Sequence, residues 1–124
     1  MSSVASEVRA AFERYENALR RHDVAALNDC FLPGAQTVRY GIAEQNYGSD
    51  AISAYRRGSE PIDPNRTLER VVVSVHGEDA ASVSAEFIDP ATPGIGRQTQ
   101  TWVRTAQGWK IAVAHVSMNP QRRD

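Results

Sequence analysis

The 124-residue sequence contains one cysteine, Cys30, so it cannot form an intrachain disulfide, and a reducing cytoplasmic setting is expected. Long apolar runs are missing as well, since no stretch approaches the roughly 18 residues that cross a bilayer. The opening "MSSVASEVRAAFERYENALRRHD" is charged throughout and has no apolar block of the secretory kind. Excess charge of either sign is also absent. A formal net charge of -1 supplies no bulk field to draw nucleic acid or an anionic membrane. Any preference for anions must therefore come from locally placed arginines.

Catalytic signatures are equally sparse. His22, His76 and His115 lie far apart, and none pairs with Cys, Asp or Glu at a metal-ligand spacing, so no metal is expected. "GIG" at Gly94 to Gly96 lacks the preceding strand and following helix of a dinucleotide site. No G-x-S-x-G motif occurs, and Cys30 has no evident histidine partner, which argues against a covalent nucleophile.

What is present reads as one soluble domain spanning 1–124. Val4, Val8, Ala11, Phe12, Tyr15 and Leu19 recur at helical spacing, with Arg9, Glu13, Glu16 and Arg20 assigned to the polar side. Asp23 caps a second short helix, "DVAALNDCF", which Pro33-Gly34 ends. "AQTVRYGI" is strand-like, and a second extended piece follows around Glu44 to Tyr47. "GSDAISAYRRG" predicts a third helix, with Ile52 and Tyr55 on one face and Arg56-Arg57 as a stop signal. "SEPIDPN" is a surface connection. "TLERVVVSVH" and "AASVSAEFI" flank "GED", and "RQTQTWVRT" and "WKIAVAHVSM" flank "AQG", giving two hairpins. Helices first and antiparallel strands last define an α+β fold, with the helices on one face of the sheet.

Arg39 is the residue least at home in this pattern. On a strand, Thr37, Arg39 and Gly41 share one face and Val38, Tyr40 and Ile42 the other. If the apolar set packs into the core, Arg39 faces solvent; if the pocket lies on its own side, it is an anion clamp. Tyr15, in the apolar stripe of the first helix, is either a core tyrosine satisfied by backbone or a phenol donor to a developing oxyanion. Glu44 could position Arg39 or act as a base, against the plainer alternative of an exposed salt bridge. His115 shares its expected strand face with Trp109, Ile111, Val113 and Ser117, as a core histidine or a pocket one. The polar run Arg97 to Thr101 should turn one alternating half toward a pocket or an interface; Gln100, with Trp102 beyond it, is a candidate ligand contact.

The order of elements, with the ending "GWKIAVAHVS", resembles the SnoaL-like branch of the nuclear transport factor 2-like superfamily. "ALRRHDVAALNDCF", "TVRYGIAEQNYG", "AISAYR", "IGRQTQTWVR" and "GWKIAVAHVSM" are similar to the AtzH-like family, which includes the oxalurate-catabolism protein and a 1,3-dicarboxyurea hydrolase. That resemblance implies a cone-shaped sheet closed by three helices, a homodimer through the open sheet face, and no metal or organic cofactor. It further implies a C–N hydrolase acting on a small anionic ureido acid, with Tyr15 and Arg39 as catalytic residues. Glu44, Gln100, Trp102 and His115 are expected around the substrate. Two alternatives stand beside this: a non-catalytic accessory of an amidase, and a SnoaL-type isomerase or dehydratase.

Overall fold

The computed structural model describes residues 3–120. Helix α1 (Val4–Arg20) starts at Ser3, whose hydroxyl accepts from the Ser6 amide at 3.1 Å. Helix α2 (Val24–Asp29) starts at Asp23, whose carboxylate accepts from the Ala26 amide at 3.1 Å. Each cap satisfies an amide that the first turn cannot. Strands β1 (Val38–Tyr40) and β2 (Gln45–Tyr47) form a short hairpin before helix α3 (Ser49–Gly58). The long strands are β3 (Thr67–Val75), β4 (Ala80–Ile88), β5 (Ile95–Thr105) and β6 (Gly108–Asn119).

All six strands join one curved sheet in the order β2-β1-β6-β5-β4-β3. Pairing is antiparallel except where β1 runs parallel to β6. The helices cover one face. Val8, Phe12, Leu27, Phe31 and Ile52 pack from that side against Ala81, Val83, Trp102 and Ile111. Burying each large apolar side chain is worth about 1.5–3 kcal/mol relative to exposure, so this layer is the main stabilising contact between helices and sheet.

Two bulges set which residues face inward. On β3, Glu69 pairs with Glu86 but Val72 pairs with Ser84, leaving Arg70 and Val71 opposite a single residue. Arg70 takes a left-handed conformation there, φ 51°. On β6, Trp102 of β5 pairs with Ile111 while its neighbour Thr101 pairs with Val113, so Ala112 is the extra residue. An extra residue bends a strand and reverses its alternation beyond that point. Trp109 and Ile111 are buried before the bulge and Ala114 after it, whereas Val113 and His115 emerge on the open face. The expected common face for His115, Trp109 and Ile111 is thus corrected: His115 is exposed and stands on the opposite side of the sheet.

The first helix also departs from expectation at one position. Glu16, assigned to its solvent side, is 3% exposed. It follows Phe12 by one helical repeat and adjoins Tyr15, so it lies on the edge of the buried stripe.

Candidate functional site

At one end of the helix-covered face, α1, α3, the β1–β2 hairpin and the near ends of β4 to β6 enclose a cavity of about 230 Å³. That is below the roughly 300–1,000 Å³ of clefts that hold drug-sized ligands, so its size suits a small metabolite. Tyr15, Arg39 and Glu44 line it together. So do Tyr55, Arg56 and Arg66, which the sequence did not single out as site residues, and Gln98, from the polar run expected to turn one half toward a pocket or an interface.

Arg39 reaches the cavity because β1 turns Thr37 and Arg39 inward. Thr37 is buried and its hydroxyl donates to the Leu32 carbonyl at 2.6 Å, which pins the strand. The apolar half, Val38 and Tyr40, lies on the open face, where the Tyr40 ring packs edge-on against Tyr47 at 6.0 Å and His115 at 5.6 Å. Arg39 is 7% exposed. Its Nη1 donates to Glu44 Oε1 at 2.9 Å and to Asn46 Oδ1 at 3.1 Å, and its guanidinium carbon sits 4.5 Å from the centre of the Tyr55 ring. Gly41 makes room for this pair, since a Cβ there would overlap the Glu44 carboxylate. Burial pushes the Glu44 carboxyl up, but hydrogen bonds from Arg39 and Tyr55 and the Arg39 charge outweigh it and hold the group below its ordinary value.

Tyr15 stacks its ring edge-on against Phe31 at 6.2 Å, and its hydroxyl oxygen accepts from Arg56 Nη2 at 3.0 Å. A guanidinium has only donors, so it takes a lone pair of the phenol and leaves the phenol proton free for another acceptor. Deeper in, Arg66 donates to Glu16 Oε2 at 2.6 Å and to Gln98 Oε1 at 3.2 Å, and Gln98 Nε2 returns a bond to Glu16 Oε1 at 2.7 Å. The Phe87 ring covers the Arg66 guanidinium at 4.3 Å. Each partner in this ring of three satisfies the next.

The other expected contacts fall elsewhere. Gln100 and Trp102 point to the helix side of the sheet but lie in the packed core outside the cavity, where the indole N–H donates to Gln100 Oε1 at 3.3 Å. Gln98, two residues earlier on the same face of β5, takes the cavity position. His115 lies with Arg97, Thr99, Thr101, Val113 and Ser117 along a shallow groove on the open face. Among the described residues, no three His, Cys, Asp or Glu side chains cluster so as to hold a metal ion.

The missed residues had left a signal. Arg56 follows Ile52 by four positions, which places it on the inward face of α3, and Glu16 follows Phe12 likewise. Assigning Glu16 to the polar side of the first helix and reading Arg56 as a helix stop signal concealed both. Arg66, just beyond the two-proline connection, had no periodicity to reveal it.

Comparison with known proteins sets this geometry in a class. The chain has the nuclear transport factor 2-like fold. A superfamily protein from Salmonella enterica superposes at a TM-score of 0.76, with 20% identity over 98% of this chain and 94% of the other. Within that class the chain belongs to the AtzH-like family, whose family model matches residues 1–122. A cystatin-like fold protein from Burkholderia xenovorans is 48% identical and covers 95% of this chain and 93% of its own, at a TM-score of 0.92. A protein of unknown function from Pectobacterium atrosepticum, of the DUF3225 family, is 42% identical over 96% and 93%, at 0.91. No curated protein matches the chain. No helix among the described residues is long and apolar enough to cross a membrane.

Proposed function

We propose that the protein is a cofactor-independent hydrolase acting on a C–N bond of a small ureido carboxylic acid, of the 1,3-dicarboxyurea or oxalurate kind. The observation that carries this reading is one small cavity lined by both a buried guanidinium, Arg39, and a phenol, Tyr15, whose oxygen already accepts from Arg56. A guanidinium recognises a carboxylate through two parallel hydrogen bonds, which a lysine's point charge does not reproduce. Arg39 anchors one carboxylate, and Glu44 with Asn46 holds the guanidinium in place. Tyr15 directs its free proton at the urea oxygen or the leaving nitrogen.

For 1,3-dicarboxyurea the bond that breaks joins a terminal carboxyl carbon to nitrogen. Carbon dioxide departs, the nitrogen takes the Tyr15 proton, and water returns a proton to the phenol, the hydroxide left over combining with carbon dioxide as bicarbonate, so that the net change is hydrolysis of the C–N bond. Such a step needs proton delivery and charge stabilisation, not a covalent nucleophile. The Arg39 charge inside the cavity disfavours the apolar substrates of an isomerase or dehydratase. Steady-state assay of carbon dioxide release from 1,3-dicarboxyurea tests the reading, with oxalurate as a second substrate. Turnover that Arg39→Lys lowers by about a hundredfold supports it. Absence of turnover on both compounds, together with capture of an amidase subunit, would instead identify a non-catalytic accessory.

A further inference from the structure

The cavity carries three guanidinium groups, and two of them have an internal carboxylate. Arg66 has Glu16 at 2.6 Å, and Arg39 has Glu44 at 2.9 Å. Arg56 has none among the described residues. It is 7% exposed, its Nη2 donates to the Tyr15 hydroxyl oxygen, and its Nε is buried without an acceptor. Glu60 and Asp89 line the same cavity but form no ion pair with it.

A guanidinium stays charged at every working pH, and an uncompensated charge in a buried site is costly. The arginine is not merely a helix-end cation facing water, because its side chain turns inward beneath Tyr55. The guanidinium carbons of Arg39 and Arg56 lie 4.5 Å and 5.9 Å from the centre of that one ring, and both side chains line the same small cavity.

We propose that Arg56 is an anion-binding residue: it holds a second anionic group of the ligand whose first is held at Arg39, so the cavity selects small dianions over monoanions, and of the two ureido acids above it favours 1,3-dicarboxyurea over the singly charged oxalurate. The proposal rests on reading the cavity as a carboxylate site, though not on turnover there. It also gives Arg56 a bearing on chemistry, since an anionic group placed on it lies beside the Tyr15 hydroxyl and within reach of its free proton.

Calorimetric titration with glutarate and pentanoate tests this, because the two have the same carbon count and differ by one carboxylate. The wild-type protein should bind glutarate at least about tenfold more tightly, the size expected of one charge-assisted hydrogen-bonded pair. Arg56→Gln should bring the two affinities to within about twofold of each other. Arg56→Lys, which keeps the charge and serves if the glutamine variant does not fold, should retain the preference only in part. Equal affinities in the wild type, no binding of either acid, or a preference unchanged in a folded Arg56 variant would each overturn the assignment. A preserved glutarate preference without turnover of 1,3-dicarboxyurea would sink the hydrolase reading and leave the anion subsite standing.

Discussion

Two sides of the cavity, the Arg66 side (here its floor) and the Arg39 and Arg56 side (here its mouth), use the same residue types in opposite ways. At the floor, Arg66, Glu16 and Gln98 form a closed set in which every charge has a partner and the Phe87 ring covers the cation. At the mouth, Arg39 shares Glu44 and Asn46 through a single nitrogen, and Arg56 has only a phenol. A saturated buried network leaves nothing to offer a ligand and holds the structure together. An unsaturated one keeps donors in reserve for a group that arrives from outside. The difference assigns Arg66 to holding the structure and supports the roles proposed for Arg39 and Arg56, without recourse to burial, which is nearly the same for all three.

Breaking the floor should give the largest effect on stability. Arg66→Met leaves Glu16 as an unpaired buried carboxylate and should cost about 3–5 kcal/mol in urea unfolding. Adding Glu16→Gln should recover most of that loss, because a neutral amide is far cheaper to bury. A single-variant loss below about 1 kcal/mol would erase the distinction between floor and mouth. At the mouth the effect should fall on activity instead. Arg39→Lys should lower kcat/KM on 1,3-dicarboxyurea by about a hundredfold, equivalent to about 2.7 kcal/mol, with Tm nearly unchanged.

Gly41→Ala sharpens the comparison on a smaller scale. Its methyl would overlap the Glu44 carboxylate and crowd Arg39 Nη1, which lies at 2.9 Å from the Cβ position. KM should rise severalfold while Tm falls only slightly, as read by kinetics and calorimetry together. The smallest effect concerns pH. The Glu44 carboxyl is held below its ordinary 4.5, so the stability it contributes is present above that value and lost as pH falls through the lower folded value. Urea unfolding of wild type and Glu44→Gln should therefore differ at neutral pH and converge in acid. Because Glu44 is about a quarter exposed, solvent screening keeps the gap small.

The elements were legible because periodicity and turn chemistry agree along this chain. The α1 stripe, the Asp23 cap, the two hairpins and the helices-then-strands order all follow from local pattern. Sidedness was not. Whether Arg39 faced solvent or cavity depended on which half of "VRY" met the helices, and the apolar half turned out to line the open sheet face. His115 went to the wrong face because one additional residue, Ala112, reverses the alternation of β6, and nothing in "WKIAVAHVSM" announces a bulge. Gln98 and Gln100 share a face of one strand, so alternation alone could not tell which meets the cavity and which meets Trp102. Arg56 and Glu16 were readable in principle from their four-residue spacing to Ile52 and Phe12.

Cys30 illustrates how burial decides chemistry that a residue type only permits. Burial, and then the neighbouring Asp29 charge, push its thiol up, so it stays protonated at neutral pH. Alkylation by iodoacetamide at pH 7 should be slow in the folded protein and fast in urea, followed by mass spectrometry.

Tyr15→Phe puts the phenol's role to the most direct test, because it deletes one hydroxyl and keeps the ring that packs on Phe31. Arg56 then loses its one side-chain acceptor among the described residues, so a modest fall in Tm, on the order of 1–3 kcal/mol in stability, is expected. At a temperature where both proteins are fully folded, turnover of 1,3-dicarboxyurea should drop by at least about a hundredfold. Turnover close to that of the wild type, with only the Tm lowered, would make the hydroxyl a structural acceptor for Arg56 and contradict its place in the reaction.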